Sequence, residues 1–185
     1  AYSKVDNSAS LEFYITNNTQ STQKQLSINS AGIRVYEGIR FNATQVTSTE
    51  PNTLDDYEEG TWTPTIAFGG ADVGATYTAR IGTYTKFGNR VSVDCRLSLG
   101  AKGSSVGVAS VSGLPFTVAA AVGASCAASV WFSDVTFADS PQGFGSANST
   151  VVGLDQVTNE GLRSTLTDAD FKTGSSIMLN LTYRV

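Results

Sequence analysis

The stretch "RVSVDCRLSL", Arg90 to Leu99, decides the fold class. Val91, Val93, Cys95, Leu97 and Leu99 alternate without interruption with Arg90, Ser92, Asp94, Arg96 and Ser98. Successive side chains of a strand point to opposite faces, so the pattern predicts a ten-residue strand with one face in a core and the other in water. The last ten residues, "SIMLNLTYRV", repeat the pattern and are expected to bury Ile177, Leu179, Leu181, Tyr183 and Val185. Further strand signals are "GTYTKF" from Gly82, "VGVASVSGLPF" from Val106, "ASVWFSDVTF" from Ala128 and "STVVGL" from Ser149. "FGN", Phe87 to Asn89, supplies a hairpin turn ahead of Arg90. Seven or eight strands with Gly-rich turns between them predict an antiparallel, jelly-roll-like β-sandwich over residues 61–185.

Helical periodicity is nearly absent. The best candidate, Asp155 to Phe171, carries Gly161 and several Thr and Asp, which favour turns over helix interiors. One short turn is the most it should hold, with "TDAD", Thr167 to Asp170, as its cap.

Composition narrows the function classes. Hydrophobic residues make up 41% and charged residues 15% of the 185, the latter well under the roughly 25% of an ordinary soluble domain. Ser, Thr, Asn, Gln and Gly fill the difference, which suits extended structure and not a disordered chain. With a net charge of −4 and no basic block, no nucleic-acid partner is expected, because phosphate backbones are bound by clustered Lys and Arg. No apolar run approaches about 18 residues, so membrane insertion through a helix is not expected. The sequence begins at Ala1 and carries no signal-peptide pattern, which suggests a fragment or processed product. Cys95 and Cys126 read as buried thiols behaving as small hydrophobes. Their redox state is open at this level.

Residues 1–45 behave differently. Their apolar residues come in short groups, Leu11, Phe13 and Ile15, then Leu26 and Ile28, then Ile33 and Val35, then Ile39 and Phe41, amid uncharged polar runs such as "NNTQSTQKQ". The entropy of ordering some 45 residues outweighs what so few large side chains return by burial. The segment must therefore bury them against something else, and identical copies are the economical partner. These nine residues are the expected contacts of a trimeric β-stem. Residues 46–60 read as a linker, with Pro51, Asn52 and Gly60 as breakers and Asp55, Asp56, Glu58 and Glu59 as a solvated acidic loop.

Three motifs in order carry a family resemblance. "NTLDDYEEGTWTPTI" (Asn52 to Ile66), "YTKFGNRVSVDCRLSL" (Tyr84 to Leu99) and "VSGLPFTV" (Val111 to Val118), preceded by "AGIRVYEGIRFNATQV" from Ala31, resemble the C-terminal region of tail fibre and tailspike proteins of tailed bacteriophages. The resemblance spans Ala31 to Val118. It implies a homotrimer with a fibrous β-stem, located at the distal end of the virion's tail fibre or spike, whose partner is a bacterial cell-surface polysaccharide or lipopolysaccharide. Many such proteins end in a self-cleaving chaperone, but this sequence ends in the strand "NLTYRV".

Chemistry is sparse. The sequence has no histidine, which excludes triads and imidazole bases. "DDYEE" offers paired carboxylates, but on a breaker-flanked segment rather than on a rigid element beside an aromatic platform, as glycosidases require. No catalytic residue, metal site or cofactor is expected in this chain. An upstream depolymerase would lie outside it.

Aromatics carry the remaining interest, since sugars stack their C–H faces on rings and their hydroxyls need polar neighbours. The candidate glycan-binding residues are Trp131, Phe132, Asp134, Tyr77, Tyr84 and Phe144, the last on a loop "SPQGFGSANS". Trp131 and Phe132 are adjacent in a strand, so one faces the core and the other faces out. Val135 and Phe137 share the parity of Trp131, and Asp134 that of Phe132. Trp62 is expected to plug the junction between stem and sandwich. The alternative to a binding module is a structural one, a trimerisation and folding cap for an upstream region.

Overall fold

The computed structural model describes residues 2–5, 11–16, 22–29, 31–36, 39 and 56–185. The chain divides into two compact units, Ala1–Gln45 and Val46–Val185.

The first unit is an antiparallel meander of β1 (Tyr2–Val5), β2 (Leu11–Thr16), β3 (Thr22–Asn29) and β4 (Gly32–Val35). The Asn29 side chain accepts the Ala31 N–H at 2.9 Å and closes the β3–β4 turn. In register, Leu26 pairs with Val35 and Ile28 with Ile33, while Leu11 and Phe13 of β2 stand opposite Ile28 and Leu26. Directly opposed residues share a face, so Leu26, Ile28, Ile33 and Val35 form one apolar patch. Ile33 is 71% exposed and Ile39 is exposed as well. The strands of this unit thus pair within the chain, and what they leave open is a face. Phe41 lies outside the described residues.

The described residues of the second unit, 56–185, are all β apart from one short turn. Its strands are β5 (Tyr57–Trp62), β6 (Thr65–Phe68), β7 (Thr76–Phe87), β8 (Arg90–Ala101), β9 (Ala109–Ser112), β10 (Cys126–Val135), β11 (Ser140–Gly145), β12 (Val151–Val157), β13 (Arg163–Thr165) and β14 (Phe171–Arg184). They form one curled antiparallel sheet in the order β5-β7-β8-β14-β10-β11-β12-β9-β6, with β13 beside β12. Strand β10 turns the corner: Ser129–Val135 pairs with β14, whereas Cys126–Ala128 pairs with β11. The sheet therefore folds back on itself as a sandwich, with its apolar sides facing inward.

That core is the alternation made physical. Val91, Val93, Cys95, Leu97 and Leu99 are buried from β8, and Ile177, Leu179, Leu181 and Tyr183 from β14. Val185 packs against them half-buried. Ile66, Phe68, Val111, Val152 and Leu154 come from the opposite half. Gly88 at φ +56 opens the two-residue β7–β8 hairpin, as a type II′ turn requires of its first central residue.

Between β12 and β14 the structure has β13 and a single 3-10 turn, Asp168–Asp170. The Asp170 carboxylate accepts the Thr167 N–H at 2.7 Å and its hydroxyl at 3.1 Å. Asp168 accepts the Gly107 N–H at 2.8 Å and Lys102 at 3.2 Å, and these donors hold its carboxyl below the ordinary carboxylate range.

Two sequence expectations need correction here. Residues 57–60 belong to β5 and not to a linker: Tyr57 to Trp62 pair with Phe87 to Gly82. The acidic residues there are engaged as well, Asp56 being buried in an ion pair with Lys86 and Glu58 hydrogen-bonded by Tyr84. "SPQGFG" is strand β11. Trp62 is buried in the second unit's own core.

Both cysteines are free thiols. Burial pushes the Cys95 thiol up to about 12, and Cys126 is raised in the same way. Since the thiolate is the reactive species, Cys95 should resist a disulfide-exchange reagent at pH 8 in the native protein and react at once in denaturant. Rapid native labelling of Cys95 would contradict its burial.

Candidate functional site

The outer face of the β5-β7-β8-β14-β10 half carries the residues that the core rejects. Register places them in ranks across the strands. Ile81 of β7 stands beside Arg96 of β8, then Met178 of β14, then Trp131 of β10. The next rank runs Thr83, Asp94, Asn180, Ser129. Together the two ranks line an open groove of about 500 Å³.

Its walls are unusual for an outer sheet face. Trp131 is 54% exposed, Ile81 62% and Met178 42%. Three large apolar side chains stand in one rank, on β7, β14 and β10, with Arg96 of β8 between the first and the second. The neighbouring rank is polar: Asn180 donates from Nδ2 to Asp94 Oδ1 at 2.5 Å. Arg96 is exposed and has no hydrogen-bond or ion-pair partner among the described residues. The arrangement offers an aromatic face, a soft thioether floor, a fixed carboxylate–amide pair and one uncommitted cation.

The six residues singled out from sequence do not come together, and Trp131 alone lines the groove. Phe132 points inward, against Phe171 at 6.2 Å and Phe137 at 5.9 Å between ring centroids. Asp134 is the reason that Val135 joins Phe132 on the inner side. It takes φ +57 at a register shift between Ser133 and Val135, so the alternation changes parity there. Its carboxylate pairs with Lys172 at 2.9 Å, and that partner holds its pKa down.

Tyr77 accepts the Ile66 N–H at 3.1 Å, and its ring carries Arg80 at 4.6 Å. Tyr84 leans inward over Gly60 and packs edge-on against Phe116 at 5.3 Å. Phe144 lies on the outer face of the other half, 5.2 Å beneath the Arg163 guanidinium. Arg163 also donates from Nε to buried Asp155 at 2.8 Å, whose second oxygen has no partner. Among the described residues, no group of three His, Cys, Asp or Glu could hold a metal ion.

The groove residues missed from sequence are Ile81, Thr83, Asp94, Arg96, Met178 and Asn180. Asp94 and Arg96 were visible as the outward phase of "RVSVDCRLSL". Their convergence with Trp131 depends on β14 lying between β8 and β10, and no local signal announces that order.

Neither the protein-family models nor the curated proteins compared with this sequence match it. Among solved structures, the crystal structure of the Dettilon tailspike protein is similar at 16% identity with a TM-score of 0.57. The match covers 69% of this chain and 24% of that one, so this chain spans about a quarter of that protein's length, and the likeness between the two is one of β fold.

Proposed function

We propose that this chain is part of a homotrimeric tail fibre or tailspike of a tailed bacteriophage, sited at the distal end of the tail, and that it binds a bacterial surface polysaccharide or lipopolysaccharide. Residues 1–45 act as the trimeric stem, and the sandwich acts as a non-catalytic binding module. The observation that carries this reading is the open groove with Trp131 on one wall and the Asp94–Asn180 pair on the other. An exposed indole flanked by fixed polar groups suits the apolar face and hydroxyl edge of a sugar ring. The tailspike-like fold supports the tail-associated part of the reading. A shallow groove of this kind binds single sugars weakly, in the millimolar range, and three copies on one trimer convert weak contacts into firm attachment by avidity.

The test uses the intact chain on immobilised host polysaccharide. Trp131→Ala should lower apparent affinity about tenfold or more, since one stacking contact of about 1.4 kcal/mol is already a factor of ten and avidity compounds it. Unchanged binding in that variant would remove the groove from the function.

A second reading, the sandwich as a trimerisation and folding cap for an upstream region, takes its support from the exposed apolar rank of Ile81, Met178 and Trp131, which a neighbouring copy would bury. Exchanging residues 61–185 between phages distinguishes the two. Altered host range supports the binding module. Unaltered host range, with loss of soluble trimers on deletion of the same residues, supports the cap.

A further inference from the structure

The groove's charge pattern narrows what it holds, an inference that rests on the glycan-binding reading above. Arg96 sits at the centre of the apolar rank, flanked by Ile81 and Met178, without a partner of its own. A guanidinium is a planar fork that matches a carboxylate with two parallel hydrogen bonds. An unpaired Arg set among apolar groups is a recognition element in search of its anion.

The spacing fits one pyranose. Neighbouring strands lie about 4.8 Å apart, so the backbones of Arg96 and Trp131, separated by β14, stand about 10 Å from each other. A ring laid on Met178 fills that interval, with its C–H face toward the indole. Asp94 lies two residues from Arg96 on the same face of β8, about 6.5–7 Å along the strand. That matches the distance from a ring carboxylate to the hydroxyls on the far side of the same sugar. Asp94 is oriented by Asn180 at 2.5 Å, and as a carboxylate it only accepts, so it selects for hydroxyl donors.

Charge count separates a monoanion such as a carboxylate from a dianionic phosphate monoester. The groove holds one uncommitted cation with one carboxylate nearby, so a monoanion is balanced at Arg96, whereas a dianionic phosphate would be repelled by Asp94 at close range. We propose that the groove recognises a carboxylated pyranose, a uronic or sialic-type sugar, with Arg96 on the carboxylate, Asp94 and Asn180 on ring hydroxyls, and Trp131 stacked on the C–H face.

The experiment titrates the intact chain with three groups of short oligosaccharides: neutral (maltotetraose), carboxylated (tetragalacturonate and sialyllactose) and sulfated (a sulfated galactose tetramer). Indole fluorescence is the readout, and it reports on the groove because Trp131 is exposed while Trp62, the other tryptophan, is buried. The expected result is saturable quenching confined to the carboxylated group. Arg96→Gln should weaken it about tenfold or more, and Arg96→Lys should restore part of it by keeping the charge without the fork. Arg96 has no partner among the described residues, so both variants should fold, which far-ultraviolet circular dichroism checks. Equal binding of neutral sugars, preference for the sulfated group, or full retention in Arg96→Gln overturns the carboxylate assignment and leaves glycan binding standing. Absence of quenching by every group, together with no binding to immobilised polysaccharide, overturns both.

Discussion

Trp62→Ala is expected to destabilise the second unit by about 3–5 kcal/mol, the range for deleting a buried aromatic side chain, read as a lower urea or thermal midpoint. Trp62 ends β5 opposite Gly82 in register, and its indole lies flat over that residue. The Nε1–H is shared between the carbonyls of Thr83 at 3.2 Å and Asp94 at 3.3 Å, so the ring ties β5 to both β7 and β8. Gly82 is the other half of this device. A Cβ there would stand 2.5 Å from Nε1 and 2.7 Å from Cδ1 and Cε2. Gly82→Ala should therefore destabilise by overpacking, about 1–3 kcal/mol. Combined, the two substitutions should relieve each other, because the new methyl enters space that the indole has left. The double variant should lose less than the sum of the singles, with a coupling on the order of 1 kcal/mol. Additive losses would show that the indole does not rest on Gly82.

The same contact explains why parts of this fold were legible and others were not. Where a strand carries large apolar residues every second position, as in Val91 to Leu99 or Ile177 to Tyr183, the buried face could be named residue by residue. Strand β11 offers no such signal. Its inward positions are Gly143 and Gly145, which lie under Ala128 and Cys126 so closely that a Cβ would stand 2.8 Å from one side chain and 2.6 Å from the other. With no side chain to bury, the strand looks like a loop. Strand β5 hid for a related reason: on the side of buried Trp62 it carries only exposed Glu58 and half-buried Gly60, which face Lys86 and Tyr84 across the ladder, so its period is carried by its partners.

The candidate site was legible in kind but not in membership. Exposed aromatic and polar residues were the right chemistry to look for, and Trp131 is the one that faces the groove. The adjacent Phe132 would have been outward by the opposite parity, and parity beyond Ser133 was lost to the bulge at Asp134. A register shift of this kind, here Ser133 opposite Ser176 and then Val135 opposite Phe171, leaves composition unchanged, so periodicity cannot detect it. Arg96 and Met178 join the site only because β14, the last strand in sequence, pairs between β8 and β10. Such long-range order is set by how the whole core closes, not by any window of sequence.

Ile28→Ser combined with Ile33→Ser should abolish self-association of the chain in solution. The parent is expected to sediment at three times 19.4 kDa and the double variant at a single copy. These two residues are directly opposed in the β3–β4 ladder and form one patch with Leu26 and Val35, yet Ile28 is 36% and Ile33 71% exposed within one chain. Fully burying such a side chain is worth about 1.5–3 kcal/mol, and each copy in a trimer would bury both. Their exposed parts together amount to about one whole side chain, so the loss is about 1.5–3 kcal/mol per copy, where every 1.4 kcal/mol is tenfold in association. Ser27 and Arg34 form the adjacent pair on the other face, so Arg34→Ser should leave the mass unchanged and serves as the control for placing a serine on β4. A double variant that stays trimeric would locate the contacts between copies in the second unit. A parent that sediments at 19.4 kDa at micromolar concentration would remove the trimer altogether, and with it the avidity on which attachment through a shallow sugar groove depends.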